Sequence, residues 1–253
     1  MSKIKLFCFP YAGGSAQVYR EWKQYPSEVF EVIPVELAGH GRRMTEPLYE
    51  DVSEMLEDIY PHVIEQVGSS DYAFFGHSMG GMLAFELVHR IRKSSGRLPM
   101  HLFFSGRGAP HIRRTDKIRY HLLEEEDFKK EVLNLGGTPP EFFAHPELLE
   151  IYLPILKNDF RLSETRPPIT EIEEIDVHLT ALVGLDENLN EEERFGWQLH
   201  TSKSFELYQF EGEHFFIHNY HQEILRLIDR LLSWPRTKQE VVTPHLIRSG
   251  LTV

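Results

Sequence analysis

The sequence predicts a single α/β domain whose mostly parallel sheet is flanked by helices and interrupted by a helical lid insertion. Short apolar runs alternate along the chain with stretches of helical spacing, and this alternation is typical of parallel sheets covered on both faces. With 253 residues, of which 41% are hydrophobic, the chain is long enough to bury one large core. A third observation is the pentapeptide from Gly76 to Gly80, which stands between an apolar run and a helix-like stretch.

The strands and helices follow from the spacing of apolar residues. Six short apolar runs predict strands at residues 4–9, 30–35, 72–75, 101–105, 177–183 and 205–210. Apolar residues at steps of three and four predict sheet-covering helices within 52–67 and 224–232, and a further helix-like stretch covers 82–88. Pro61 lies inside the first helix, where we expect a kink or a break.

The stretch from about residue 109 to residue 176 is too long for an ordinary connection and predicts the lid. Acidic residues at 124–127 predict a helix start, Gly136 and Gly137 its end, and a second helix begins near Pro146. The large apolar side chains between 148 and 162 either line an acyl pocket or pack within the lid. We expect the domain to span residues 1–234 and residues 235–253 to form a poorly ordered tail.

Composition restricts the partners and the compartment. A net charge of −12 argues against nucleic acid, because binding phosphates requires a basic face. Since no apolar run is long enough for a membrane span or a signal peptide, we expect no membrane association and a cytoplasmic protein. The single cysteine, Cys8, is expected to be a buried structural thiol in a reducing compartment.

Gly76-His77-Ser78-Met79-Gly80 follows a predicted strand and opens a predicted helix, as a nucleophile elbow does. Only glycine fits the tight turn two residues before and after the serine, and the following helix directs its N-terminal amides at the site. The sequence therefore predicts Ser78 as a nucleophile, with His77 as a packing residue. Without its context, the pentapeptide is equally compatible with a simple tight turn.

A serine hydrolase of this architecture requires an acid and then a histidine, each after a later strand. Asp186 follows the run 177–183 and is the preferred acid, and Glu187 is its nearest competitor. His214 follows the run 205–210 and is the predicted general base. His218 and His221 come next at near-helical spacing, and we expect helix-face or packing residues, because no cysteine or H-E-x-x-H pattern accompanies them.

An oxyanion hole requires two backbone N–H donors beside the nucleophile. The residue after the serine, Met79, supplies the first. The second is expected in the loop after the first strand, residues 9–15, where Gly13 and Gly14 allow a close approach of the backbone. Ala12 is the preferred donor there and Tyr11 its alternative.

The segments at 9–15, 39–43, 76–81, 136–139, 159–161 and 212–216 together resemble the type II thioesterases of nonribosomal peptide and polyketide synthesis. The resemblance spans about residues 4–234 and implies the α/β-hydrolase fold with a helical lid. It also implies a stand-alone editing enzyme that removes wrong acyl groups from the phosphopantetheine arm of carrier domains. The family's nucleophile, acid and base fall at Ser78, Asp186 and His214. His40 stands where many relatives carry arginine.

The resemblance further implies acyl or peptidyl carrier domains of a synthase, acting in trans, as partners. Such carriers are generally acidic, so the basic stretch at 107–121 is a possible docking site, with Arg113, Arg114, Lys117 and Arg119 near the mouth of the site. The same stretch is equally compatible with a solvated loop. We expect a monomer, and a reaction that requires no metal or organic cofactor.

Two other functions remain open. A small-molecule carboxylesterase would use the same three side chains, and it differs in its relative rates on thioesters and oxygen esters. A non-catalytic binding module on a hydrolase scaffold is the alternative from another class, because a fold does not fix a function. Its usual mark is the loss of a catalytic residue, whereas Ser78, Asp186 and His214 are all present.

Overall fold

The computed structural model describes residues 2–94, 96–113, 117–137, 145–233 and 245–247. Within these residues the chain forms a parallel seven-stranded sheet in the order β2-β1-β3-β4-β5-β6-β7. The strands are β1 (Ile4–Phe9), β2 (Phe30–Pro34), β3 (Tyr72–His77), β4 (His101–Ser105), β5 (His178–Gly184), β6 (Phe205–Phe210) and β7 (His245–Ile247). The bounds of β1, β4 and β6 agree with the apolar runs, and those of β2, β3 and β5 differ by one or two residues.

The seventh strand lies within the segment expected to form a poorly ordered tail. His245–Ile247 pairs in parallel with β6, with His245 opposite Tyr208 and Ile247 opposite Phe210. A strand of three residues shows no period, so the run of apolar residues that identified the other strands is missing here. Its backbone nevertheless covers an edge of β6 that would otherwise be unpaired. The rest of the predicted tail lies outside the described residues.

Helices cover the sheet and form the lid. They are α1 (Val52–Val67), α2 (Met79–Lys93), α3 (Glu125–Leu135), α4 (Pro146–Thr165), α5 (Glu191–Phe195), α6 (Phe216–Asn219) and α7 (His221–Ser233). Short 3₁₀ turns occur at Ala16–Tyr19, Trp22–Gln24, Gly41–Arg43, Tyr120–Leu122 and Gly196–His200. Helix α1 continues through Pro61, so of the expected kink or break the break does not occur. Among the described helices, none has the length and apolar character that crossing a membrane requires.

The sheet is buried on both faces, which explains why its strands read as continuous apolar runs. In β1, Phe7 and Phe9 belong to the core beneath α1 and α2. The alternate residues Leu6 and Cys8 belong to the core beneath α7. The predicted burial of the Cys8 thiol is confirmed, since none of this residue is exposed, and burial raises its pKa well above the ordinary value.

The chain between β4 and β5 contains α3 and α4, in agreement with the predicted helical insertion. These helices have a small core of their own, centred on Phe128, Val132 and Leu156. Ala12 and Tyr152 pack against this core from its rim, so the lid rests directly on the loop after β1. Residues 138–144, which join α3 to α4, lie outside the described part.

Candidate active site

Ser78 lies at the turn between β3 and α2 and has the only positive φ of a non-glycine residue in the described chain, 54°. A Cβ atom on Gly76 would lie 2.1 Å from the Gly80 carbonyl oxygen, and one on Gly80 would lie 2.1 Å from that of Phe9. Both contacts are far below van der Waals distance, so glycine is required on each side of the serine. The turn therefore packs Gly80 against the end of β1 and leaves Ser78 partly exposed.

The backbone of Ser78 is held on both sides. Its N–H donates to the Ser105 carbonyl at 2.8 Å, and its carbonyl accepts from Arg107 Nη1 at 3.3 Å. Arg107 also donates to Ser163 Oγ of α4 at 3.0 Å, and burial lowers its pKa to about 10. Sequence reasoning counted Arg107 only as part of a basic stretch, although it connects the elbow to the lid.

His214, in the loop after β6, is hydrogen-bonded to a carboxylate from the loop after β5. Its Nδ1 lies 2.5 Å from Glu187 Oε1, and the Glu187 side chain is only 5% exposed. The second carboxylate oxygen, Oε2, accepts from the Gly184 N–H at 2.7 Å. A proton on Nδ1 is required for this contact, so Nε2 of the neutral imidazole is left as the base.

This arrangement favours Glu187, the nearest competitor, over Asp186 as the acid. The N–H groups of Leu185 and Asp186 donate to the carbonyls of Phe210 and Gly212, at 2.8 Å and 3.0 Å, so the pairing with the β6 side continues past the end of β5. Asp186 is thereby left exposed. The chain turns one residue later, where the longer side chain of Glu187 reaches the imidazole.

His77 packs beneath the base, as predicted. It is fully buried, its ring centroid lies 4.8 Å from that of His214, and its Nδ1 lies 2.9 Å from Ser105 Oγ. Burial lowers the pKa of His77 well below the ordinary value, so the ring is neutral. His218 Nε2 lies 3.2 Å from the Tyr11 hydroxyl. In the described chain, no group of three or more His, Cys, Asp or Glu side chains is arranged to hold a metal ion.

The loop after β1 lies beside the elbow because β1 and β3 are neighbours in the sheet. Two of its N–H groups are already used: Gly13 donates to Asp159 Oδ2 at 2.7 Å and Gly14 to the Tyr11 carbonyl at 2.8 Å. Ala12 and Tyr11 remain the candidate donors of this loop. Met79 is the first residue of α2, and an N–H at this position has no acceptor within its helix. The assignment of Ala12 and Met79 to the oxyanion hole stays a prediction.

Of the residues predicted for docking, Arg113, Lys117 and Arg119 are exposed, and the last two are paired with carboxylates. Lys117 Nζ lies 2.5 Å from the buried Glu193 carboxylate, and Arg119 Nε lies 3.9 Å from that of Glu164. Arg113 donates to the uncharged carbonyl of Arg166 at 2.6 Å. Arg114 lies outside the described residues. The stretch is therefore less basic at the surface than its composition indicates.

Comparisons with known proteins agree with this geometry. Residues 4–232 match the thioesterase domain family. Linear gramicidin dehydrogenase LgrE of Brevibacillus parabrevis is 37% identical over 235 residues, which cover 91% of this chain and 88% of that protein. Although that name denotes a dehydrogenase, the family that matches is a thioesterase family.

Two solved structures are similar over nearly the whole chain. ClbQ from the colibactin NRPS/PKS pathway has a TM-score of 0.85 at 33% identity, covering 92% of this chain and 98% of that one. The type II thioesterase BorB from the borrelidin biosynthetic cluster has a TM-score of 0.81 at 32% identity, covering 91% and 93%. The predicted fold class is confirmed by these neighbours and by the parallel sheet.

Proposed function

The chain belongs to the thioesterase domain family, and we propose that it is a stand-alone editing enzyme of a nonribosomal peptide or polyketide synthase. Its substrates are aberrant acyl or aminoacyl thioesters on the phosphopantetheine arm of carrier domains, which other polypeptides supply. The observation that carries the proposal is the Glu187–His214 pair at the same sheet edge as Ser78. The names of ClbQ and BorB support the substrate class.

In the proposed reaction, His214 Nε2 removes the proton of Ser78 as its hydroxyl oxygen attacks the thioester carbonyl. The amides of Met79 and Ala12 stabilise the oxyanion. Glu187 keeps the Nδ1 proton in place and stabilises the imidazolium. Collapse of the intermediate breaks the carbon–sulfur bond, and the pantetheine thiolate leaves and takes up the proton. His214 then activates a water, which cleaves the acyl-Ser78 ester to the free acid.

These steps use only side chains and amides of this chain, so the proposal includes no metal or organic cofactor. The phosphopantetheine arm belongs to the carrier and enters as part of the substrate. A buried thiol at Cys8 is consistent with our expectation of a cytoplasmic enzyme, where thiols stay reduced.

A comparison of thioester and oxygen-ester substrates tests the proposed function. Carrier domains loaded with acyl groups of different length and charge are incubated with the enzyme, and the released acid is quantified by mass spectrometry. The p-nitrophenyl esters of the same acids provide the oxygen-ester arm. We expect kcat/KM to be at least about tenfold higher for carrier-bound thioesters, because binding energy from the carrier and arm contributes to catalysis.

Preference for the oxygen esters would instead assign a small-molecule carboxylesterase. If wild-type protein hydrolysed neither substrate and Ser78 did not react with a fluorophosphonate, the chain would be a binding module. The Ser78→Ala variant, prepared in parallel, measures the activity of contaminating host thioesterases.

Carrier docking near the lid predicts a selective effect of charge reversal. We expect Arg113→Glu with Arg114→Glu to lower kcat/KM for carrier-bound substrate about three- to tenfold at low salt, through slower association. The effect should shrink as salt screens the charges. Hydrolysis of an N-acetylcysteamine thioester, which has no carrier, should stay the same.

Arg92→Glu with Arg97→Glu is the control for net charge, and because these arginines pair with Glu173 and Asp71, its thermal unfolding midpoint is compared with that of the wild type. Arg92 lies near the C-terminal end of α2, and Arg97 precedes β4; both therefore belong to the opposite edge of the sheet. Equal losses of kcat/KM in the two double variants would show that overall charge, and not a docking site at Arg113 and Arg114, causes the effect. Equal losses on both substrates would show that Arg113 and Arg114 are structural.

A further inference from the structure

The lid helix α4 holds the two peptide groups that flank Gly13 in the loop after β1. Asp159 Oδ2 accepts from the Gly13 N–H at 2.7 Å, and the Tyr152 hydroxyl donates to the Gly13 carbonyl at 2.8 Å. Asp159 and Tyr152 are seven residues apart, or about two turns, and so share one face of α4. Gly13 has a φ of +74°, and a Cβ atom on it would lie 2.4 Å from the Tyr152 hydroxyl. Only glycine allows so close an approach.

A buried histidine ties this contact to the body of the domain. His40 Nε2 lies 2.9 Å from Asp159 Oδ2, and its Nδ1 lies 2.8 Å from the Ala38 carbonyl. Because both acceptors require a proton, the imidazole carries two and is positively charged. Burial by itself would lower the pKa of His40, but the hydrogen bond to Asp159 and its charge outweigh burial and raise it.

This pair is sheltered from solvent: His40 is 3% exposed and Asp159 is 1% exposed. Asp159 Oδ2 accepts hydrogen bonds from both His40 and Gly13, so one atom joins three separate segments. These are the loop that contains His40, the lid helix and the loop after β1. Both hydrogen bonds are charge-assisted and therefore stronger than neutral ones. Ala12, next to Gly13, also packs against the small core of the lid.

We propose that His40, Tyr152 and Asp159 are positioning residues that fix the two peptide groups flanking Gly13 and thereby orient the preceding peptide, whose Ala12 N–H is directed at the oxyanion. The inference rests on the proposed function, because it assigns a task to the same site. None of the three side chains takes part in the chemistry itself. Because α4 sets the orientation of the oxyanion donor, a displacement of the lid helix would change the reaction rate through the backbone at Gly13.

The inference predicts a loss in kcat rather than in KM. An oxyanion donor contributes mainly in the transition state, and a displacement of about 1 Å can cost on the order of 100-fold. We expect Asp159→Ala to lower kcat for an N-acetylcysteamine thioester about 10- to 100-fold, with KM changed less than about threefold. Tyr152→Phe, which removes one hydroxyl, should lower kcat about three- to tenfold on the same reasoning.

Asp159→Asn provides the conservative rescue. Its amide oxygen can still accept from the Gly13 N–H, so kcat should exceed that of Asp159→Ala even though the charge on His40 is no longer balanced. Binding of a boronic acid that forms a tetrahedral adduct on Ser78 should weaken in proportion to kcat across the series, since the adduct resembles the transition state. A general loss of packing would not produce this proportionality.

Asn158→Ala is the matched control on the same helix, because Asn158 contacts the Tyr49 carbonyl and not Gly13. It should leave kcat within about twofold of wild type, as expected for a change at an independent contact. Folding of every variant is checked by its thermal unfolding midpoint. If Asp159→Ala does not fold, Tyr152→Phe still decides the question.

The inference would be overturned if folded Tyr152→Phe and Asp159→Ala kept the wild-type kcat, or if Asn158→Ala lost as much as they do. Failure of the proposed function has a different signature. In that case the wild-type protein itself would hydrolyse no thioester, and its Ser78 would not react with a fluorophosphonate.

Discussion

Replacing Ser78 with alanine is expected to lower kcat for thioester hydrolysis by about 10⁵- to 10⁶-fold, the range found when a serine nucleophile is removed from a coupled triad. The remaining rate would come from the oxyanion donors and from substrate binding. The fold should survive, because Ser78 is partly exposed and alanine adds no atom to the turn. A stopped thiol-release assay on a carrier-bound thioester measures the rate, and circular dichroism measures the fold.

His214→Ala should cause a loss of similar size, and the double variant should lose little more, because nucleophile and base act as one unit. Labelling by a fluorophosphonate provides an independent measurement: it should disappear in Ser78→Ala and become very slow in His214→Ala. Near-normal turnover by Ser78→Ala in a preparation free of host thioesterases would contradict the acyl-serine mechanism.

Strands with a strong local signal were predictable from the sequence, and β7 was not. Strands β1 and β4 are buried almost throughout, and a strand covered on both faces carries a nearly continuous apolar run. His245–Ile247 forms a strand because β6 offers an unpaired edge. That cause lies in the partner strand and leaves no period in the three residues.

The sequence alone could not decide which of two adjacent acids, Asp186 or Glu187, pairs with His214. Motif order required an acid near the end of β5, and both Asp186 and Glu187 met the requirement. The decision depends on how far the pairing with the β6 side extends, which is set by the Phe210 and Gly212 carbonyls. A shift of one residue in this pairing exchanges the exposed side chain for the buried one.

The contact between His40 and Asp159 could not be predicted from the sequence either. The two residues are 119 positions apart, and each lies in a segment whose own pattern describes only its local structure. The family resemblance includes both segments but does not indicate that they are in contact. Only the packing of α4 on the loop after β1 brings them together, because it places an acceptor between His40 and Gly13.

Glu187→Gln is expected to lower kcat about 10³- to 10⁴-fold, whereas Asp186→Asn should stay within about threefold of wild type. The Gly184 N–H donates to Oε2, so the amide oxygen of a glutamine is required on that side. Its NH₂ group then faces His214 Nδ1 and forces the ring proton onto Nε2. The imidazole would be in the wrong tautomer to accept the serine proton, and no carboxylate would stabilise the imidazolium.

Glu187→Asp tests the geometric reason for the residue choice. The shorter side chain keeps the charge but retreats by one methylene from Nδ1, which lies 2.5 Å from Glu187 Oε1 in the native chain. We expect its kcat to fall between those of wild type and Glu187→Gln, because part of the catalytic benefit depends on the carboxylate position. All variants are compared by kcat and KM on one carrier-bound thioester, with thermal unfolding as the control for folding.

The opposite ranking, a severe loss in Asp186→Asn and a mild one in Glu187→Gln, would assign the role of the acid to Asp186. It would also mean that the loop after β5 rearranges when substrate binds, because in the free enzyme the backbone pairing of Asp186 directs its side chain to solvent.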